Sequence, residues 1–355
     1  MEKQLRRDAN EGRHSVLWQV VRAALMVTGL ALLLASCGAR ADGGGPILVT
    51  ARYDEDGDGQ FSIDESKPAI YALTLSGDDV EVTRITDPAF WHIGGTVSPD
   101  GDRIVYTSWR EDTNGDGAID SSDEVGVYLA DLDGSNEVEI LGTVGISSGA
   151  WSRDGSRFAV QHGTEGEWLI VNADGSGERR LGRDEFYATS FADFDRTISP
   201  DGSQRMGMTA EIGWFVVDVD SPPASPEEAE PLTHELPNYR FVSWSPDGTR
   251  LLLVVQEERA DQVTFEVPLT LYVIKPDGSE LTRVTSRGGG GQTARWSPDG
   301  KLIAYLTWRE DVDGDDIAEA QRAAEDPALY VINTDGSEPQ RLLGERYRVG
   351  TALGW

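Results

Sequence analysis

From residue 47 onward, apolar positions fall in short runs, many of them alternating with polar ones. Examples are "ILVTARY" (Ile47–Tyr53), "AIYALTL" (Ala69–Leu75), "RIVYTSW" (Arg103–Trp109) and "LIAYLTW" (Leu302–Trp308). A period of two in runs rich in Val, Ile, Leu and Tyr predicts β-strands. Asp-Gly pairs punctuate the runs and predict tight turns, since glycine accepts positive φ and aspartate bonds its own turn. The pattern repeats: "TVSPDGDRIVYTSW" from Thr96, "AWSRDGSRFAV" from Ala150, "TISPDGSQRMGM" from Thr197, "SWSPDGTRLLLVV" from Ser243 and "RWSPDGKLIAYLTW" from Arg295. The motif serines Ser98, Ser152, Ser199, Ser245 and Ser297 lie 46 to 54 residues apart. A second run ending in an Asp-Gly turn follows most copies, such as "VYLADLDGS" or "LYVINTDGS", and then a third, such as "EVEILGT" or "QRLLGE".

Each unit therefore predicts four antiparallel strands: A before the Ser-x-Asp-Gly corner, B after it, then C and D. Such a unit cannot cover both of its faces alone, and radial stacking of several is a β-propeller. Counting units predicts an all-β, six-bladed β-propeller spanning residues 47–355. Blade 1 begins at strand B, and the terminal "RVGTALGW" predicts a last strand that supplies strand A of blade 1 and closes the ring. Trp355 then falls where Trp151, Trp244 and Trp296 fall in their blades. The expected role of these tryptophans is packing between blades.

The repeats resemble those of the TolB-like propeller family, with the pattern "WSPDG…IAY…LYV…DGS…LT". The match is close in blades 5 and 6. It is looser in blade 3, where Arg153 replaces the proline, and in blade 4, where Ile198 replaces the tryptophan. This resemblance implies fold far more than function. Proteins of the TolB type are soluble periplasmic partners of an outer-membrane lipoprotein. The present chain reads as lipidated itself, so that partner is not carried over.

Residues 1–36 read as a lipoprotein signal peptide. Lys3, Arg6, Arg7, Arg13 and Arg22 precede the apolar run Ala23–Ser36, too short for a comfortable membrane span. The run ends in "LASC", which resembles a bacterial lipobox. Cys37, the sole cysteine, is the expected lipidation site and precludes intrachain disulfides. Residues 37–46 read as a flexible tether. These features predict an extracytoplasmic protein anchored to the bacterial envelope, periplasmic or on the outer surface. The chain carries 62 acidic and 31 basic residues; without residues 1–36 the balance is 59 against 26, a net −33. Such a charge excludes nucleic acid as an expected partner and suits divalent cations.

Candidate chemistry lies between strands B and C. "DEDGDGQFSIDE" in blade 1 places Asp54, Asp56, Asp58, Gln60, Ser62 and Glu65 at positions 1, 3, 5, 7, 9 and 12 of an EF-hand-like calcium loop, with Gly59 at position 6. "DTNGDGAIDSSD" in blade 2 places Asp112, Asn114, Asp116, the Ala118 carbonyl, Asp120 and Asp123 likewise, with Gly117 at position 6. Blade 6 holds a degenerate copy with Asp311, Asp313 and Asp315, where Asp316 replaces the glycine and Arg322 occupies position 12. Alternate residues of a tight loop turn oxygens inward, and a distal carboxylate closes the shell of six to eight that Ca2+ requires. Two calcium sites are expected and a third is possible in blade 6; the shorter Asp123 predicts weaker binding in blade 2 than Glu65 does in blade 1. No helix pair flanks the loops, so they are expected to clamp structure rather than act as sensors. Arg52–Tyr53, Trp109–Arg110 and Trp308–Arg309 precede the three loops. The expectation is that each ring packs under its loop while the arginine neutralises it, with an interaction surface as the alternative.

Catalytic signals are weak. "GISSG" (Gly145–Gly149) leads into a strand rather than a strand-turn-helix elbow. His92, His162 and His234 fall in different blades, and "GGGG" (Gly288–Gly291) lacks a phosphate-loop lysine. No residue is assigned a catalytic role. The expected function is a monomeric, non-catalytic, protein-binding scaffold. The alternatives are a calcium-dependent hydrolase or lyase using the central pocket and a surface polysaccharide-binding protein.

Overall fold

The structure is a computed structural model. It describes residues 45–56, 67–76, 79–120, 122–142, 149–162, 167–182, 194, 197–209, 213–223, 225, 228–236, 239–256, 269–291, 293–310, 319–320, 327–344 and 346–354. The strands are β1 (Ile47–Tyr53), β2 (Ala69–Ser76), β3 (Asp79–Arg84), β4 (Trp91–Val97), β5 (Arg103–Trp109), β6 (Gly126–Asp131), β7 (Val138–Leu141), β8 (Gly149–Trp151), β9 (Arg157–His162), β10 (Glu167–Asn172), β11 (Arg179–Leu181) and β12 (Gln204–Thr209). They continue with β13 (Gly213–Asp218), β14 (Tyr239–Trp244), β15 (Leu251–Gln256), β16 (Leu269–Ile274), β17 (Thr282–Arg283), β18 (Ala294–Trp296), β19 (Leu302–Thr307), β20 (Arg309–Glu310), β21 (Glu319–Ala320), β22 (Ala328–Asn333), β23 (Gln340–Arg341) and β24 (Tyr347–Gly354).

Five antiparallel four-stranded sheets form propeller blades: β24-β1-β2-β3, β4-β5-β6-β7, β8-β9-β10-β11, β14-β15-β16-β17 and β18-β19-β22-β23. The expected pairing of the C-terminal strand is present, with Val49 opposite Ala352 and Tyr53 opposite Tyr347. Trp355 lies outside the described residues. The expectation of six four-stranded blades is corrected at the fourth. There, among the described residues, only β12 and β13 pair as strands, flanked by single bridges Ile198–Arg205 and Phe215–Pro231. On the strand D side the contact is that single bridge, in which Leu232 N donates to the Trp214 carbonyl (2.8 Å). Ile198 stands where blades 3, 5 and 6 carry a tryptophan.

Each Ser-x-Asp-Gly corner is a local hydrogen-bond unit. In blade 2, Ser98 Oγ donates to Asp100 Oδ1 (2.5 Å) and accepts from Arg103 N (3.0 Å), while Gly101 N donates to the Ser98 carbonyl with φ at 78°. The same bonds recur at Ser152–Asp154, Ser199–Asp201, Ser245–Asp247 and Ser297–Asp299. Corners also stack on one another: Pro99, Pro200 and Pro246 pack where a Cβ on Gly155, Gly248 and Gly300 would reach. Arg153 takes the proline's place in blade 3 and lies against Gly202.

These donors hold two corner carboxyls well below the usual range. The Ser199 hydroxyl, then Ser203, lowers Asp201 to about 2, and the Ser152 hydroxyl, then Ser156, does the same for Asp154. A depressed folded-state pKa contributes stability above the unfolded value of about 3.9, lost as pH falls toward the folded one. Urea midpoints are therefore expected to fall between about pH 4 and pH 2. Asp201→Asn should lower the neutral-pH midpoint and flatten that fall; pH curves parallel to wild type would contradict the role given to Asp201.

Apolar clusters join successive blades. Leu48 and Ile70 pack against Ile104 and Tyr106, and Val105 and Leu129 against Trp151 and Phe158. Met206 packs against Trp244 and Leu251, Leu252 and Leu271 against Trp296 and Ile303, and Ala304 and Leu329 against Ile47 and Val49. The tryptophans pack between blades as expected: Trp151, Trp244 and Trp296 are 0%, 4% and 3% exposed. The Trp151 indole N–H donates to the Thr96 carbonyl of the preceding blade (3.2 Å), and that of Trp244 to the Thr197 carbonyl (2.9 Å). Arginines after the corners also reach the next blade. Arg103 Nη1 donates to Ala173 O, and Arg250 donates to Gly300 O (2.7 Å) and Thr334 Oγ1 (3.0 Å) beneath its stack on Trp296.

Candidate functional site

The three acidic insertions leave their sheets at the end opposite the Ser-x-Asp-Gly corners: after β1, after β5 and after β19. The blade 2 insertion is described almost throughout. Asp112, at its first position, accepts Gly115 N (2.7 Å) and Asp116 N (3.1 Å) on Oδ1 and Gly117 N (2.9 Å) on Oδ2. Asn114 Oδ1 accepts Asp116 N, and Asp116 Oδ1 accepts Ala118 N, both at 2.9 Å. Gly115 and Gly117 have φ of 74° and 89°, a left-handed conformation that favours glycine. Asp120 Oδ1 accepts the Ser122 amide and hydroxyl.

Asp123 closes the loop from its far end. Its Oδ1 accepts Thr113 N (2.8 Å), Asn114 N (3.1 Å) and Thr113 Oγ1 (3.3 Å), and its Oδ2 accepts Asp120 N (2.9 Å). The Asp120 amide and then those of Asn114 and Thr113 hold its carboxyl below the ordinary aspartate value. Thus Asp123 ties the loop ends together through backbone amides.

The donor set of this loop suits Ca2+ in chemistry: six oxygens in the required order, with a glycine at position 6. Among the described residues no three His, Cys, Asp or Glu side chains come together as a metal cluster. With three donors already on Asp123 Oδ1, bidentate ligation there requires release of amides. Asp112, Asn114, Asp116, Ala118, Asp120 and Asp123 are brought into one loop.

Of the blade 1 set, Asp54 is buried and donates its amide to Arg346 O (2.9 Å), and Asp56 is exposed. Asp58, Gln60, Ser62 and Glu65 lie outside the described residues, as do Asp311, Asp313 and Asp315 of blade 6 and Cys37. The blade 6 insertion starts as a short ladder, with Arg309 opposite Ala320 and Glu310 opposite Glu319.

The aromatic–arginine pairs resolve differently in each blade. Trp109 is packed away at 9% exposure. Arg110 binds Glu137 in a fork, Nη1 to Oε1 at 2.5 Å and Nη2 to Oε2 at 2.6 Å. Its guanidinium lies 3.7 Å over the Tyr128 ring and 5.2 Å over Phe90. The Tyr106 hydroxyl also donates to Glu137, and the Arg110 hydrogen bonds lower the Glu137 pKa. The aromatic stack and the fork together select Glu137, a residue 27 positions away with no sequence signal of its own. In blade 1, Arg52 lies 5.3 Å over Trp91, and Arg346 covers Tyr53 with Nη1 3.1 Å from its hydroxyl. In blade 6, Trp308 is 37% exposed.

His92 is fully buried between Phe90 and Tyr106, with Nε2 2.9 Å from Asp87 O. Burial pushes its pKa down to about 4, so the ring is neutral near pH 7. In the "GISSG" motif only Gly149 is described; it opens β8, and a Cβ there would press on the Phe158 ring. "GGGG" forms the connection into blade 6 and is explained by close backbone approach, since a Cβ on Gly291 would overlap the Leu306 carbonyl.

No protein-family model matches the chain. The structure of TolB from Acinetobacter baumannii superposes with a TM-score of 0.51 at 17% identity, covering 88% of this chain and 66% of that one. The fold is a TolB-like β-propeller. A putative TolB from Agrobacterium tumefaciens matches with a TM-score of 0.42 at 16% identity, over 84% of this chain and 90% of that one. In sequence, the uncharacterized peptidase YuxL of Bacillus subtilis (strain 168) is 31% identical over 111 residues, 31% of this chain and 14% of that protein. The chain thus spans just under two thirds of the Acinetobacter protein and a small part of the Bacillus one. No helix among the described residues is long and apolar enough to cross a membrane.

Proposed function

We propose that this chain is an exported, lipid-anchored scaffold: a six-bladed propeller whose ring is closed by β24 and whose acidic loops bind calcium and present one face to a protein partner. The observation that carries the reading is the blade 2 loop, which is folded around Asp112 and Asp123 with its oxygen donors in EF-hand order. Pairing of β24 with β1, and packing of blade 6 residues on blade 1, supports the closed ring. Blade 4 counts as the sixth blade through its hairpin and flanking bridges. The TolB-like fold supports an envelope location.

Calcium in blade 2 would be held by Asp112, Asn114, Asp116, the Ala118 carbonyl and Asp120, with Asp123 closing the site. Blade 1 would use Asp54, Asp56, Asp58, Gln60, Ser62 and Glu65, and binds more tightly because Glu65 reaches farther than Asp123. Asp311, Asp313 and Asp315 form the third, degenerate site. Calcium removes the mutual repulsion of these loops and fixes the face that carries Trp308. The segment similar to a Bacillus protein called a peptidase favours hydrolysis as the second reading.

The test uses Cys37→Ser, which is expected to leave the membrane fraction and, as soluble bait, to capture an envelope protein with calcium but not with a chelator. Membrane retention of the variant would contradict the lipid anchor. Equal capture in both conditions would contradict the calcium-ordered face, and calcium-dependent cleavage of captured proteins would favour the hydrolase.

A further inference from the structure

We propose that Asn114 is a site of spontaneous deamidation, at which the blade 2 loop converts its own side-chain amide to a carboxylate through a cyclic imide. Asn114–Gly115 is the only Asn-Gly pair in the chain; the other asparagines precede Glu11, Glu137, Ala173, Tyr239 and Thr334. Both residues of the pair are exposed. Gly115 has no side chain to shield its nitrogen, and a Cβ there would meet nothing within 4 Å.

The surrounding contacts bear on each step of the reaction. The backbone nitrogen of Gly115 is the nucleophile; its hydrogen donates to the Asp112 Oδ1 carboxylate at 2.7 Å, which accepts the proton, and rotation about Asn114 then brings Cγ to the position the hydrogen leaves. The carbon to be attacked is Cγ of Asn114. Its Oδ1 accepts the Asp116 amide at 2.9 Å, which draws charge from Cγ and stabilises the oxyanion as it forms. The Nδ2 amide, which leaves, donates to Ser122 Oγ at 2.7 Å on the water-facing side. Nucleophile and electrophile belong to adjacent residues, so no encounter entropy opposes ring closure.

The Gly115 N–Cγ bond forms as the Cγ–Nδ2 bond breaks. The proton taken from Gly115 leaves with the amide nitrogen as ammonia. Water then opens the imide at either carbonyl, leaving aspartate or isoaspartate at that position. No oxidant or enzyme is required. Each event adds one negative charge beside Asp112, Asp116, Asp120 and Asp123. The isoaspartate product also adds a methylene to the backbone inside a loop whose turns depend on register.

The test is peptide mapping by mass spectrometry of the full folded chain, incubated in mildly alkaline buffer and sampled over time. Conversion at Asn114 is expected about tenfold or more faster than at any other asparagine, a barrier difference of about 1.4 kcal/mol, with isoaspartate among the products. Asn114→Gln, which would need a larger ring, should abolish conversion, and Asp112→Asn should slow it at Asn114. An intact Asn114 amide in the folded chain would overturn the proposal. Aspartate without isoaspartate would overturn the cyclic route, and an unchanged rate in Asp112→Asn would overturn the role of that carboxylate.

Discussion

Trp151→Ala is expected to destabilise the propeller by about 3–5 kcal/mol, the range for emptying a fully buried aromatic site. The indole is completely enclosed between blades 2 and 3, meets the Phe158 ring edge-on at a centroid distance of 5.3 Å and packs with Val105, Leu129 and Leu169. Its removal also leaves the Thr96 carbonyl without the indole donor at 3.2 Å. The neighbours are strands held in two sheets, so they cannot collapse into the space. Urea unfolding reads the effect as a lower midpoint at constant slope. A loss below about 1 kcal/mol would show that the repeated tryptophan does not join the blades.

Gly291→Ala is the second large effect. An added Cβ would overlap the Leu306 carbonyl, and the backbone on both sides is pinned: Gly290 N donates to Leu269 O (2.7 Å) and Leu306 N to Thr293 O (3.0 Å). Backbone cannot rotate away as a side chain can, so a cost of about 3 kcal/mol, the upper end for overpacking, is expected. Gly344→Ala is the control. Its Cβ would meet nothing within 4 Å, and its midpoint should stay within about 0.5 kcal/mol of wild type. Equal midpoints for the two variants would contradict the close approach.

What was legible in the sequence follows from how local each interaction is. The Ser-x-Asp-Gly corner closes its hydrogen bonds within five residues, so Ser98, Asp100 and Gly101 declare the turn by themselves. The pairing of β24 with β1 was legible because blade 1 otherwise lacks an inner strand. The reduction of blade 4 was not, since the apolar run of β13 reads as an ordinary strand while its outer partner is reduced to the single bridge between Phe215 and Pro231. In the loop, donor order was visible but donor direction was not. Asp123 faces backbone amides of Thr113, Asn114 and Asp120, a choice made by loop geometry. The fork between Arg110 and Glu137 and the reach of Arg103 and Arg250 into neighbouring blades depend on three-dimensional packing. The one sequence trace of the latter is an arginine two residues after the corner glycine.

The most direct measurement is a calcium titration of the folded chain by calorimetry, paired with melting in calcium and in chelator. The account predicts saturable binding, with Glu65→Gln removing the tightest component. It also predicts a gain of about 2.7 kcal/mol for each site when free calcium is a hundredfold above its Kd. No binding heat, with identical melting curves in calcium and in chelator, would contradict it.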